Sequence, residues 1–166
     1  MAKSGAKRKT KAPTRAKSSV RRAPARRAAK AAASKPKAKR PHKQTFVASH
    51  HDEAHFKQGL RSYAKYRDLG IAAATKGLAR AHVIRMIGPC DPAEVSKRHY
   101  HDVDLQMIYV LKGWMKSEFE GEGVVTMREG SCWLQPPRIE HTVLDYSDDC
   151  EVLEIILPAD FETVEI

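Results

Sequence analysis

The sequence predicts an all-β protein, a sandwich or barrel of short strands. From residue 81 onward, runs of four to eight residues rich in β-branched, aromatic and apolar side chains alternate with Gly, Pro, Ser or Asp turn signals. These runs number seven or eight, at the spacing of double-layered or closed β folds. The 123 residues that follow a basic N-terminal segment suffice for one hydrophobic core and not for two.

Residues 1–43 hold 17 of the 30 Lys and Arg and no Asp or Glu, and before Phe46 the large apolar side chains are Met1 and Val20 alone. Such a stretch cannot bury enough apolar surface to offset its ordering entropy, so disorder is expected over residues 1–45. The rest of the chain holds 13 basic and 20 acidic residues, a net −7 beneath the overall +10. An extension over residues 46–79 is expected to pack on the barrel. Within it, Phe56, Leu60, Tyr63 and Tyr66 stand at helical spacings and predict a short helix across residues 50–67, with strand as the alternative near Tyr63.

The barrel is expected over residues 80–166. Its strands are predicted at 81–87, ended by Gly88-Pro89; at His99-Tyr100-His101; at 105–111, ended by Lys112-Gly113; and at 114–119, before Gly121-Glu122-Gly123. They continue at 124–128, before Gly130; at 132–135, before Pro136-Pro137; at 141–146, before Ser147-Asp148-Asp149; and at 150–157, which Pro158 ends. Trp114, Trp133, Tyr109 and Phe119 are expected in the core, a pocket wall or a dimer contact.

Four residues in this pattern carry chemistry. Residues i and i+2 of a strand share a face, so His99 and His101 project together. Gln106 opens the next strand and His141 opens a later one. Imidazole nitrogen is a good ligand for iron, zinc, nickel or manganese, and an amide oxygen offers a neutral fourth contact. His42, His50, His51, His55 and His82 lack such spacing and are expected as solvated or hydrogen-bonded histidines. Asp145, an even number of residues from His141, either faces inward as an acid or base or lies exposed.

At His99-Tyr100-His101, four residues, Gln106, six residues, Gly113, and again at Gly130, five residues, Pro136, four residues, His141, the chain resembles the cupin superfamily. The resemblance covers residues 80–158. It implies a cupin-type jelly-roll barrel, a divalent transition metal held by His99, His101, Gln106 and His141, and a homodimer. Ala93, Gln106, Arg138 and Asp145 depart from the family pattern, which has Gly, Glu, Gly and Asn at those places. With Gln106 in place of Glu, three imidazoles and an amide leave a divalent ion at a formal 2+. Cupin families include dioxygenases, isomerases, cyclases, decarboxylases and non-catalytic sensors, so the resemblance implies a small oxygen-bearing substrate without selecting a reaction. A non-enzymatic metal or small-molecule sensor whose tail binds nucleic acid is the alternative.

The tail resembles those of linker histones and their bacterial analogues. Counterion release would let residues 1–43 contact nucleic acid or another polyanion without sequence preference. A tail docked on the acidic body, a solvated tail and an organellar transit peptide are the other readings. No apolar run is long enough for a signal segment or membrane span, and three cysteines without CxxC spacing read as free thiols, which together predict a soluble cytoplasmic protein. Cys132 and Cys150 are expected as small core residues. No phosphate loop or nucleophile elbow is present.

Overall fold

The computed structural model describes residues 43–59 and 61–166, so the predicted disorder of the basic tail lies outside the described residues up to Lys43. Eleven strands form two sheets. They are β1 (Lys57–Gln58), β2 (Ala64–Asp68), β3 (Arg80–Met86), β4 (His99–Asp102), β5 (Leu105–Lys112), β6 (Trp114–Phe119), β7 (Gly123–Arg128), β8 (Cys132–Gln135), β9 (His141–Tyr146), β10 (Glu151–Leu157) and β11 (Glu162–Glu165). The first sheet runs β1-β2-β3-β10-β5-β8 and the second β11-β4-β9-β6-β7, with every pairing antiparallel. One-turn helices α1 (Ile71–Ala74) and α2 (Pro92–Val95) sit in the connections.

The helix expected across residues 50–67 does not form. In its place stand a short helical turn at Glu53–His55, capped by the Asp52 side chain on the Ala54 amide, and the hairpin of β1 and β2. The reason is tertiary. β2 completes its backbone hydrogen bonds against β3, which buries Ala64 and half-buries Tyr66, whereas a lone helix of that length has no partner for its polar groups beyond itself. Gly59 turns the hairpin where the Tyr66 ring leaves no room for a side chain.

The core lies between the sheets and follows the alternation of each strand. Ile108 and Val110 of β5, Val152 and Ile156 of β10, Met115 and Phe119 of β6 and Met127 of β7 all point inward and are buried. Cys150 is fully buried, but Cys132 is exposed on β8, because Trp133 and Gln135 take the inward positions of that strand. Phe119 is core, Trp133 is cavity wall, and Tyr109 is exposed on the outer face of β5.

Candidate metal centre

β4 and β9 bring the histidines together. His99 and His141 are directly paired across the two strands, and His101 shares the face of His99 two residues on. One nitrogen from each lies within 4.8 Å of the others, and the ring centroids are 4.4 to 5.3 Å apart.

Hydrogen bonds on the far side of the rings select the tautomer. His99 Nδ1 stands 2.7 Å from the Lys97 carbonyl oxygen and His141 Nδ1 2.9 Å from that of Ile139. A carbonyl only accepts, so both Nδ1 atoms carry the proton and both Nε2 atoms keep a free lone pair. His101 Nδ1 lies 3.0 Å from Thr163 Oγ1, a hydroxyl that can donate to it or accept from it. Burial pushes all three histidines below their ordinary range, His101 and His141 to about 4. Neutral imidazoles whose outer nitrogens are anchored fit a divalent transition metal, since no ligand proton has to be displaced at neutral pH.

Gln106 reaches the same cavity from β5 and is buried. It belongs to a chain of hydrogen bonds with a defined direction. Trp133 Nε1 donates to Gln135 Oε1 at 3.1 Å, Gln135 Nε2 donates to Gln106 Oε1 at 3.2 Å, and Gln106 Nε2 donates to Glu154 Oε1 at 2.7 Å. His82 Nε2 meets the other carboxylate oxygen of Glu154 at 2.6 Å. Gln135 Nε2 also stands 3.1 Å from His141 Nε2. An ion that took both lone pairs would displace this amide. Burial by itself would raise the Glu154 carboxyl, but the hydrogen bond and charge of His82 and the hydrogen bond from Gln106 outweigh it and hold the group ionised below its ordinary range.

The cavity between the sheets measures about 480 Å³. Two arginines line it. Arg61 donates to Glu165 at 2.9 Å, while Arg80 lies over the Phe161 ring, 5.8 Å from its centroid, and Phe161 in turn meets His101 edge-on at 5.5 Å. Among the described residues the arginine ion pairs are made by Arg61, Arg85, Arg98 and Arg138, which leaves the Arg80 guanidinium for the cavity.

Other candidates fall elsewhere. Asp145 is absent from the cavity wall and its Oδ1 accepts from the Tyr146 amide. Glu140 pairs with Arg98, and His51 with Glu53 on the surface. His50, His51 and His55 line a shallow second depression in the N-terminal segment, with no shared ligand geometry among the described residues. Sequence reasoning passed over Glu154, whose signal was a carboxylate at an inward position, between Val152 and Ile156, of the apolar run of 150–157. Gln135 and Thr163 carried no signal at all, since β11 was not foreseen.

A family model described as the cupin domain matches residues 90–156, from just before α2 to the inner end of β10. Over those residues the chain matches the cupin domain. Solved structures agree on this fold at low identity. KdgF from Halomonas sp. matches with a TM-score of 0.54 at 19% identity, over 70% of this chain and 96% of its own. The polyketide cyclase RemF from Streptomyces resistomycificus matches with a TM-score of 0.55 at 14% identity, over 72% of this chain and 86% of its own. Oxalate decarboxylase from Bacillus subtilis matches with a TM-score of 0.54 at 14% identity, over 76% of this chain but only 34% of its own. No curated protein sequence matches the chain significantly. Within the cupin, Arg138 stands where the second motif has glycine, and it adopts the left-handed backbone (φ 63°) that the family glycine would take without strain. Its amide is tied to the His101 carbonyl at 3.0 Å and its guanidinium to Tyr100.

Proposed function

We propose that this cupin is a metal-dependent catalyst acting on a small, acidic, oxygen-bearing molecule, with His99, His101, His141 and Gln106 as the ligands of a divalent transition ion. The observation that carries this reading is the convergence of three neutral imidazoles, two of them tautomer-locked by backbone carbonyls, in a cavity of about 480 Å³ that also receives the guanidinium of Arg80. When bound, such an ion supplies Lewis acidity to a carbonyl, enolate or carboxylate oxygen. Arg80, whose guanidinium lies over the Phe161 ring, takes the acidic group of the same molecule. The two sheets exclude bulk water from the histidines, which are buried or half-buried. Two structural neighbours are named for enzymes of oxygen-rich substrates, a polyketide and oxalate.

The test is elemental analysis of protein purified without a nickel column, then reconstitution of metal-free protein with iron, zinc, nickel and manganese. About one ion per chain in the wild type and none in His101→Ala is expected. Wild type that holds no metal after all four reconstitutions sinks the metal reading. For the substrate class, a thermal-shift screen of small carboxylic acids is expected to find ligands whose effect disappears in Arg80→Met, and binding indifferent to Arg80 would exclude an acidic substrate.

A further inference from the structure

We infer that Glu154 is a positioning residue which turns the Gln106 oxygen toward the histidines and sets a carboxylate one hydrogen bond behind the first-motif position. The inference rests on the metal reading above. Its starting point is the polarity of the hydrogen-bond chain. Trp133 is a donor only and the Glu154 carboxylate an acceptor only, so the two amides between them have one satisfied orientation. Gln106 must present Nε2 to Glu154, and therefore Oε1 to the opposite side, where Gln135 Nε2 and the His141 Nε2 lone pair lie.

The sheet makes this possible. β5 and β10 are adjacent, with Gln106 opposite Ile156, so Glu154 is the diagonal neighbour of Gln106 on the inner face. Gln106 and Glu154 thus form an amide and a carboxylate side by side, the carboxylate on β10 and the amide at the motif position. A motif glutamate would place the charge on the ligand itself. Here it stands one hydrogen bond behind it, held by His82 with both side chains 13% exposed. An amide whose N–H donates to a carboxylate has its oxygen polarised toward a cation, as ligating groups are by partners behind them.

Transposing the pair tests this. In Glu154→Leu, Gln106 Nε2 loses its acceptor and the charge is gone. In the double variant Gln106→Glu with Glu154→Gln, residue 154 can accept from His82 and donate to the new carboxylate at 106, which still accepts from Gln135, so every polar atom keeps a partner. Zinc and nickel are titrated calorimetrically into metal-free full-length wild type, Glu154→Leu, the double variant and His101→Ala, with thermal melting of each to report folding. Glu154→Leu is expected to bind about 10- to 100-fold more weakly than wild type. The double variant is expected to recover wild-type affinity within a few-fold. Wild-type affinity in Glu154→Leu, or a folded double variant no tighter than Glu154→Leu, overturns the proposal while the loss in His101→Ala leaves the metal centre standing. Wild type that takes up neither ion while binding no other transition metal overturns both.

Discussion

His99 and His101 of β4 and His141 of β9 converge, and each ring is held from behind. Lys97 and Ile139 offer backbone carbonyls, Thr163 a hydroxyl, and the outer nitrogen of each ring is thereby spoken for. The same burial that keeps these rings neutral has a consequence for stability. His101 and His141, held to about 4 in the fold against an ordinary 6.5, stay neutral while the unfolded chain takes up protons. Between those two values the unfolded state binds more protons than the native one, so stability rises with pH there and is lost as pH falls from 6.5 toward 4. Melting temperatures of the metal-free protein from pH 7.5 to 4 are expected to fall through that window by this mechanism. The slope should flatten in the double variant His101→Phe/His141→Phe, and an unchanged slope would place the effect elsewhere.

At the scale of elements, turns decide which strands can meet. Gly113 joins β5 to β6 with φ 69°, and a Cβ there would land on Ser147 Oγ and lie 3.2 Å from the Cys150 Cα. Gly113→Ala therefore meets both an unfavourable backbone region and a backbone neighbour that cannot move aside. A loss of order 1–3 kcal/mol is expected in chemical denaturation. The β1–β2 hairpin is fixed differently. Arg85 of β3 reaches Glu53 and Glu151 and lies 3.8 Å from the Phe56 ring centroid, so one guanidinium ties the N-terminal segment to the first sheet. Loss of this tie in Arg85→Ala is expected to raise amide exchange across Lys57–Gln58 and Ala64–Asp68 more than across β6, as a locally anchored unit would. Equal change in both would show that Arg85 supports the whole sheet.

The whole molecule joins a polycationic N-terminal segment to an acidic body that carries the centre. Those opposite charges carry one prediction at this scale. If residues 1–43 engage nucleic acid, affinity of the full chain for duplex DNA should fall steeply with salt, about 10³-fold between 50 and 200 mM for six or more phosphate contacts, and the chain lacking 1–43 should not bind. Equal binding by both chains would remove nucleic acid from the account. The outer face of the first sheet also exposes Leu105, Tyr109 and Leu111 on β5 and Leu134 on β8. A neighbouring copy covering that face would give the expected homodimer, so sedimentation should report two copies for wild type and one for Leu134→Glu. No helix among the described residues is long and apolar enough to cross a membrane.

By itself the sequence determined the strands from β3 to β10 almost to the residue and the register of His99, His101 and His141, because side-chain alternation and turn chemistry are local and period two shows directly in the order of residues. It could not decide what Gln106 touches. Gln106 and Glu154 are 48 residues apart, and whether they meet depends on which strand lies beside β5 and in what register. The same holds for residues 64–68, whose side chains suit either a helix or a strand until β3 offers its edge. Local chemistry placed the candidate ligands, and long-range strand pairing decided which groups stand behind them.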